Sequence, residues 1–357
     1  MRINGRVRIA ALSTWLPPVR ERITEAVAAG RLSERDAANS GYEELPVSPD
    51  LPAPDMAVCA AAQALDRAEV AAAELDLILH CWIYYQGHDF WSPTHYIASE
   101  LGAFTAQPVG VQQMCNGAAA ALEVAVCRML ADPAVRRILI TTADRFCPPG
   151  FDRWRGDYGL VYGDGATAAV LVDGSTDAGP ELGGELELLS IATVAEAQLE
   201  RMHRGDDLFS PAPRMLRDVI DIRRTKKAFL AAIEGKEVFA KLVRAAVEQV
   251  VRRGLSDAGI RPDDSRLRLI TLPRVGATAQ DATYLPAISA VLAAEPADLG
   301  RHTGHLGAGD LLANLAAMLG NNLLAPGEIG MSLSAGAGFT WSCVVVRRRK
   351  TTNGAAP

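Results

Sequence analysis

Two segments of this chain, one in its middle and one near its end, are built to the same plan. Tyr162-Gly163-Asp164-Gly165-Ala166-Thr167-Ala168-Ala169-Val170-Leu171-Val172 is a glycine turn that runs into an apolar strand. Ser334-Ala335-Gly336-Ala337-Gly338-Phe339-Thr340-Trp341-Ser342-Cys343-Val344-Val345-Val346 repeats the design. Each copy follows a helix-then-strand unit. The first runs from a small-residue helix after Cys115 to Arg137-Ile138-Leu139-Ile140-Thr141-Thr142-Ala143, the second from Gly309 to Leu319 and on to Ile329-Gly330-Met331-Ser332-Leu333. Strands apolar at successive positions are buried on both faces, so they need helices on both sides of a sheet. The repetition predicts two similar α/β halves. The 357 residues are enough for two core-bearing halves or one large α/β unit. A chain 49% hydrophobic but only 6% aromatic suits parallel strands packed against Ala-rich helices.

The helix of the first unit starts at a cysteine. In Gly110-Val111-Gln112-Gln113-Met114-Cys115-Asn116-Gly117-Ala118-Ala119-Ala120-Ala121-Leu122, a short β-like run enters Cys115 and a helix leaves it. Apolar residues at 118, 121, 122, 125, 126, 129 and 130 give that helix a buried face. A thiol at such a turn meets unpaired N–H groups and the positive end of the helix dipole, which favour a thiolate. It is suited to attack on a thioester. A small buried core thiol would read the same on this stretch alone.

Composition narrows the field. A net charge of −6 and the lack of a basic stripe with interleaved aromatics argue against a general nucleic-acid binder. No run of 18 apolar residues occurs, and Met1-Arg2-Ile3-Asn4-Gly5-Arg6 lacks a signal-peptide core, so a cytoplasmic protein off the membrane is expected. The six cysteines (59, 81, 115, 127, 147 and 343) form no Cys-x-x-Cys pair and no disulfide framework. Cys59, Cys127 and Cys343 are expected to be core packing. No His/Cys/Asp cluster has metal-ligand spacing, so no metal is expected.

Along the chain, residues 7–12 read as a first strand, 21–39 as helix-prone and 45–54 as a proline-rich surface loop. Residues 55–67 read as an amphipathic helix, 75–83 as a buried strand, 87–93 as a polar turn and 94–101 as a short helix. The expected halves are residues 1–184 and 185–347, with 174–184 a connector and 348–357 a disordered tail. Residues 195–235 carry mixed charge and read as an inserted lid or arm; a helix over 239–253 and a strand over 267–272 follow.

The cysteine elbow, the Tyr162–Leu171 segment and the Gly336-Ala337-Gly338-Phe339-Thr340-Trp341 loop together resemble the ketosynthase III (β-ketoacyl-acyl-carrier-protein synthase III) family. The resemblance covers nearly the whole chain. It implies a thiolase-like five-layer αβαβα fold of two similar halves, assembled as a homodimer. It implies Cys115 as nucleophile and the backbone N–H groups of Cys115 and Ala337 as the oxyanion hole. The donor would be a phosphopantetheine thioester of acyl carrier protein or coenzyme A, with no tightly bound cofactor. The middle of the three glycines usual in the second loop is here Ala337, which keeps the amide but questions any positive φ at that position.

Two departures change the chemistry the resemblance implies. Condensing members carry a histidine after a strand and an asparagine in a glycine turn, both aimed at the enolate left by malonyl decarboxylation. Here the first stretch reads Leu269-Ile270-Thr271-Leu272-Pro273-Arg274-Val275-Gly276-Ala277, without the histidine. The second reads Thr303-Gly304-His305-Leu306-Gly307-Ala308-Gly309-Asp310, with a histidine for the asparagine and an aspartate five residues on. Cys115, His305 and Asp310 are the parts of an acyl-transfer triad. On a continuous helix, residues five apart point about 140° apart, so His305 must sit in the loop and Asp310 in the first helical turn if the two are to meet. Otherwise Asp310 is a first-turn carboxylate that stabilises the helix dipole. His302 is the neighbouring competitor.

This pattern resembles the acyltransferase branch of the family, found in antibiotic and polyketide biosynthesis. Its members move an acyl group to an oxygen, nitrogen or sulfur acceptor without forming a carbon–carbon bond. A hydroxyl or amine of a sugar or cyclitol is one implied acceptor, and an aromatic polyketide acyl group one implied cargo. Tyr84-Tyr85-Gln86-Gly87-His88-Asp89-Phe90-Trp91 follows a buried strand, where open α/β sheets bind ligands, so Tyr85, His88 and Trp91 are candidate pocket residues; the other reading is a dimer-contact turn. A starter-unit condensing enzyme or carrier-to-carrier shuttle, and a non-catalytic partner subunit, are the rival readings.

Overall fold

The computed structural model describes residues 1–174, 185–232 and 234–350. Its strands are β1 (Val7–Trp15), β2 (Arg20–Arg22), β3 (Glu44–Pro46), β4 (Leu77–Cys81), β5 (Gln107–Val111), β6 (Arg137–Asp144), β7 (Gly165–Asp173), β8 (Leu186–Ala195), β9 (Leu267–Thr271), β10 (Glu295–Ala297), β11 (Ile329–Gly336) and β12 (Thr340–Arg348). Ten of them run in the order β10-β9-β11-β12-β8-β1-β7-β6-β4-β5. From the central β8–β1 seam outward, the two sides follow one plan. β1-β7-β6-β4-β5 answers to β8-β12-β11-β9-β10, with antiparallel and parallel pairings at matching places. The seam itself pairs only Arg8 with Glu187 and Ile9 with Leu186. The repeated sequence design is therefore a repeated structural unit.

The layers follow from which helix faces are apolar. The helix Gly117–Ala131 and its counterpart Asp310–Gly320 share one core, where Leu122, Ala125 and Val126 meet Leu311, Leu312 and Leu315. Alanines at 118, 121 and 125 keep that face smooth, so the two helices pack closely. The helix Ala53–Ala68 covers the outer face of β1, β6 and β7, and the long helix Gly235–Ala258 covers β8 and β12. Helix, sheet, helix pair, sheet, helix is the five-layer thiolase arrangement. The stretch Met114–Ala131 has a mean hydropathy of 1.3, as apolar as a membrane span, and forms part of the middle layer.

Several expectations are corrected. Residues 45–54 are not all surface loop: β3 pairs with β2, and Leu45 is fully buried beside Tyr42 and Trp154. The helix-prone residues 21–39 do hold helices, two short ones, Ile23–Ala28 and Glu34–Ser40. Cys343 is buried, but Cys127 is exposed and Cys59 only partly buried, because each lies off the apolar stripe of its helix. β12 runs through Arg348, the first residue of the expected tail; residues 351–357 and the connector residues 175–184 lie outside the described residues. Within the arm, Arg201–Arg204 and Ile222–Ala231 are helical; ion pairs Arg204–Glu200 and Arg217–Asp207 form inside it, and Arg223–Asp36 joins it to the body.

Candidate active site

Cys115 lies between β5 and the helix Gly117–Ala131, in a turn closed by Asn116 N–H to Gln113 O (3.1 Å) and Gly117 N–H to Met114 O (3.0 Å). The turn puts Met114 in left-handed backbone at φ 49°, an uncommon conformation for a non-glycine residue, and leaves Cys115 partly accessible. Side chains tie this elbow to the second half. Asn116 Nδ2 donates to Ser342 Oγ (2.9 Å) and Gln113 Nε2 to Thr340 Oγ1 (3.2 Å). Gly336 completes the contact, since a Cβ there would stand 2.6 Å from Asn116 N and 2.9 Å from Gln113 O. Ala337 follows directly. The positive φ of this loop falls on Gly338 (127°) and not on Ala337, which is why alanine is accepted.

His305 is fixed by the Tyr-Gly-Asp-Gly turn. Its N–H donates to Val161 O (2.9 Å), and Gly163 N–H donates to His305 O (3.1 Å). Gly304 and Gly307 adopt positive φ, a tight turn over Gly307–Gly309 follows, and the helix begins at Asp310. This returns the Asp310 carboxylate to the loop. Its Oδ2 lies 2.6 Å from His305 Nδ1 and accepts from Arg274 N–H (3.1 Å), and its Oδ1 accepts from Leu306 N–H (2.8 Å). Both residues are buried. Burial alone would lower the His305 pKa, but the Asp310 carboxylate and then the Cys115 sulfur hold it well above the usual histidine range. Burial likewise works to raise the Asp310 pKa, and His305 and Arg274 outweigh it and hold it low. The carboxylate therefore fixes a proton on Nδ1 and turns Nε2 away from itself. Nε2 is buried without a hydrogen-bond partner among the described residues, and Cys115 is near enough to contribute to the raised pKa of the ring.

Two tyrosines without an assigned role in the sequence also reach this space. Tyr162 meets the His305 ring edge-on at 5.1 Å between centroids, and Tyr284 accepts from Trp341 Nε1 (3.2 Å). Burial above all, with Cys115 among the lesser causes, holds the pKa of both hydroxyls above the usual tyrosine value. The glycine motif marks Tyr162 in the sequence; nothing comparable marks Tyr284. Arg274 is a clamp on the His305 loop: its buried side chain donates to Asn314 Oδ1 (3.0 Å) and Thr303 Oγ1 (2.6 Å). Asp144 lies beneath the same loop, accepts from Ile83, Tyr84 and Ala308 N–H, and is pushed by burial up to about 7.

The three pocket candidates lie on the surface of the chain. Tyr85, His88 and Trp91 are exposed, because the turn after β4 carries them outward; His88 packs edge-on against Trp91 (5.3 Å). The inward residue of that segment is Gln86, which reaches His80 Nε2 (3.2 Å) and donates to Ala143 O. His302 is on the surface, 3.5 Å from Glu43. Among the described residues no group of three or more His, Cys, Asp or Glu is placed to hold a metal ion.

The model of the 3-oxoacyl-[acyl-carrier-protein] synthase III family matches residues 109–185, and the model of that synthase's C-terminal part matches 292–348. The solved structure of ChlB3, an acyltransferase, is 30% identical with a TM-score of 0.84, over 97% of this chain and 98% of that one. A β-ketoacyl-[acyl-carrier-protein] synthase III from Syntrophomonas wolfei is 25% identical over 326 residues, 89% of this chain and 85% of its own length. The 3-oxoacyl-[acyl-carrier-protein] synthase III of Aquifex aeolicus shares the fold at a TM-score of 0.74 and 21% identity, over 96% and 99% of the two chains. Fold and matches define a thiolase-fold enzyme of acyl transfer in the broad sense. The chain belongs to the ketosynthase III-like family.

Proposed function

We propose that this enzyme transfers an acyl group from the phosphopantetheine thioester of an acyl carrier protein, or of coenzyme A, to a hydroxyl or amine of a small natural-product acceptor. The observation that carries the reading is the His305–Asp310 contact at 2.6 Å, with Arg274 engaged elsewhere at the position of the missing histidine. In the first half-reaction the Cys115 thiolate attacks the thioester carbonyl, and the Cys115 and Ala337 N–H groups receive the oxyanion. The carrier thiolate leaves and takes the proton from His305 Nε2. In the second half-reaction the acceptor O–H or N–H gives its proton to Nε2, attacks the acyl-cysteine, and expels the Cys115 thiolate. Asp310 stays ionised throughout and keeps the ring oriented. Carbon–carbon bond formation from a malonyl donor needs two donors on the enolate oxygen, and one of that pair is replaced by a side chain bound to Asn314 and Thr303.

A sugar or cyclitol as acceptor and an aromatic polyketide acyl group as cargo belong to the same proposal, supported by the acyltransferase likeness. So does a cytoplasmic homodimer: β5 is the last strand of the sheet among the described residues, and Phe90 and Phe104 are exposed. The test supplies the purified enzyme with acyl and malonyl thioesters and, separately, with acyl thioester and hydroxyl or amine acceptors. Ester or amide formation without carbon dioxide release supports the reading; efficient condensation with carbon dioxide release overturns it.

A further inference from the structure

The arm and the proposed base share one buried carboxylate. Lys226, on the arm helix Ile222–Ala231, places its Nζ 2.6 Å from Asp157 Oδ1. Asp157 is 1% exposed, and its Oδ2 accepts from the Tyr162 hydroxyl at 2.5 Å. Tyr162 in turn lies edge-on against His305 and is paired with it through the backbone. An unbroken series of contacts thus runs from a surface arm to the imidazole.

Simple anchoring does not call for this arrangement. Burying an ammonium is costly unless its partner and hydrogen bonds are well placed, and removing one partner of a buried pair is strongly destabilising. Elsewhere the arm is joined to the body by the pair Arg223–Asp36, which remains in contact with water. The buried pair occurs where its carboxylate also holds the ring beside His305. The arm reaches the opposite side of the site as well. His203 packs on Phe339 at 5.2 Å, two residues from Ala337, and Thr225 Oγ1 donates to His203 O to join the two arm helices.

We propose that Lys226 is a positioning residue for His305, acting through Asp157 and Tyr162, so that the base is held in its working place when the arm is seated. The inference rests on His305 being the base. Lys226→Met removes the cation, Lys226→Arg keeps it, and Tyr162→Phe removes the hydroxyl while keeping the ring.

The experiment reads kcat, donor KM and the pH profile of Cys115 alkylation by iodoacetamide, with thermal unfolding followed in parallel. Lys226→Met and Tyr162→Phe are each expected to lower kcat by about 10- to 100-fold, to leave donor KM nearly unchanged, and to displace the alkylation profile. Lys226→Arg should restore most of both. If Lys226→Met does not fold, Tyr162→Phe and Lys226→Arg decide. Wild-type kcat and alkylation profile in folded Tyr162→Phe and Lys226→Met would overturn the inference. His305→Ala is run beside them. An unmoved profile in His305→Ala would refute the base itself, whereas a shift there alone would refute only the relay.

Discussion

His305 Nδ1 and Asp310 Oδ2 lie 2.6 Å apart although the residues are five apart in sequence, a spacing that would separate them by about 140° on a helix. The contact exists because positive-φ Gly304 and Gly307 and a tight turn place His305 ahead of the helix and Asp310 at its first residue. The carboxylate is also held by the N–H groups of Leu306 and Arg274, which orient it independently of the ring. One side chain thus caps the loop and fixes the tautomer of the proposed base.

The first prediction concerns this pair. His305→Ala should lower turnover on the order of 10² to 10⁴, the usual scale for a general base. Asp310→Asn should also fall by at least about 10², because an amide cannot anchor the imidazolium in one tautomer. Donor KM should change little in either variant. Steady-state kinetics with a fixed acyl thioester would check this, and near-normal turnover in Asp310→Asn would reduce the aspartate to a loop cap.

A second expectation is a pH window for stability. The raised His305 pKa gives a contribution complete below the ordinary value of 6.5 and lost as pH rises through the folded value. The lowered Asp310 pKa gives one complete above 3.8 and lost as pH falls through its folded value. The pair therefore contributes fully between those two ordinary values. Asp144 acts in the opposite sense in the same range: with its pKa pushed up to about 7, folding retains a proton the unfolded chain releases, and stability falls as pH rises from about 4 to 7. The difference between wild type and Asp310→Asn isolates the pair. Urea unfolding should show it largest between about pH 4 and 6.5 and smaller on the alkaline side; a difference independent of pH would contradict the ion pair.

The duplicated halves and the Cys115 elbow were legible because each depends on local pattern: glycine before an apolar strand, small residues after a cysteine. The His305–Asp310 geometry was legible as a condition on the loop, since glycines at 304, 307 and 309 offered the needed turns. The tyrosines were not. Tyr162 and His305 are far apart in the chain and meet through β-bridging of two loops, and Tyr284 arrives on a short wound segment after Arg274. The exposure of residues 85, 88 and 91 was not legible either, because the direction of a turn is set by its packing and not by its composition. Cys127 fails in the same way: an Ala-rich helix has apolar residues on several faces, so the stripe alone does not show which face is covered. The Lys226–Asp157 pair, between an arm and the core, has no local signature.

A third prediction separates the roles of Arg274. Arg274→Met keeps bulk but leaves Asn314 Oδ1 and Thr303 Oγ1 without the guanidinium, so it should cost about 1–3 kcal/mol in denaturant unfolding. Malonyl decarboxylation should not appear in the variant, since no donor is added at the enolate position. A variant as stable as wild type would show that the clamp contributes nothing.

The account rests most heavily on an acyl group carried by Cys115. Incubation with an acyl thioester, followed by intact-mass analysis and peptide mapping, should show one covalent acyl adduct on Cys115. Addition of a hydroxyl or amine acceptor should discharge it. Cys115→Ala should carry none. Absence of an adduct on the wild-type protein, or its persistence in Cys115→Ala, would contradict the transfer mechanism.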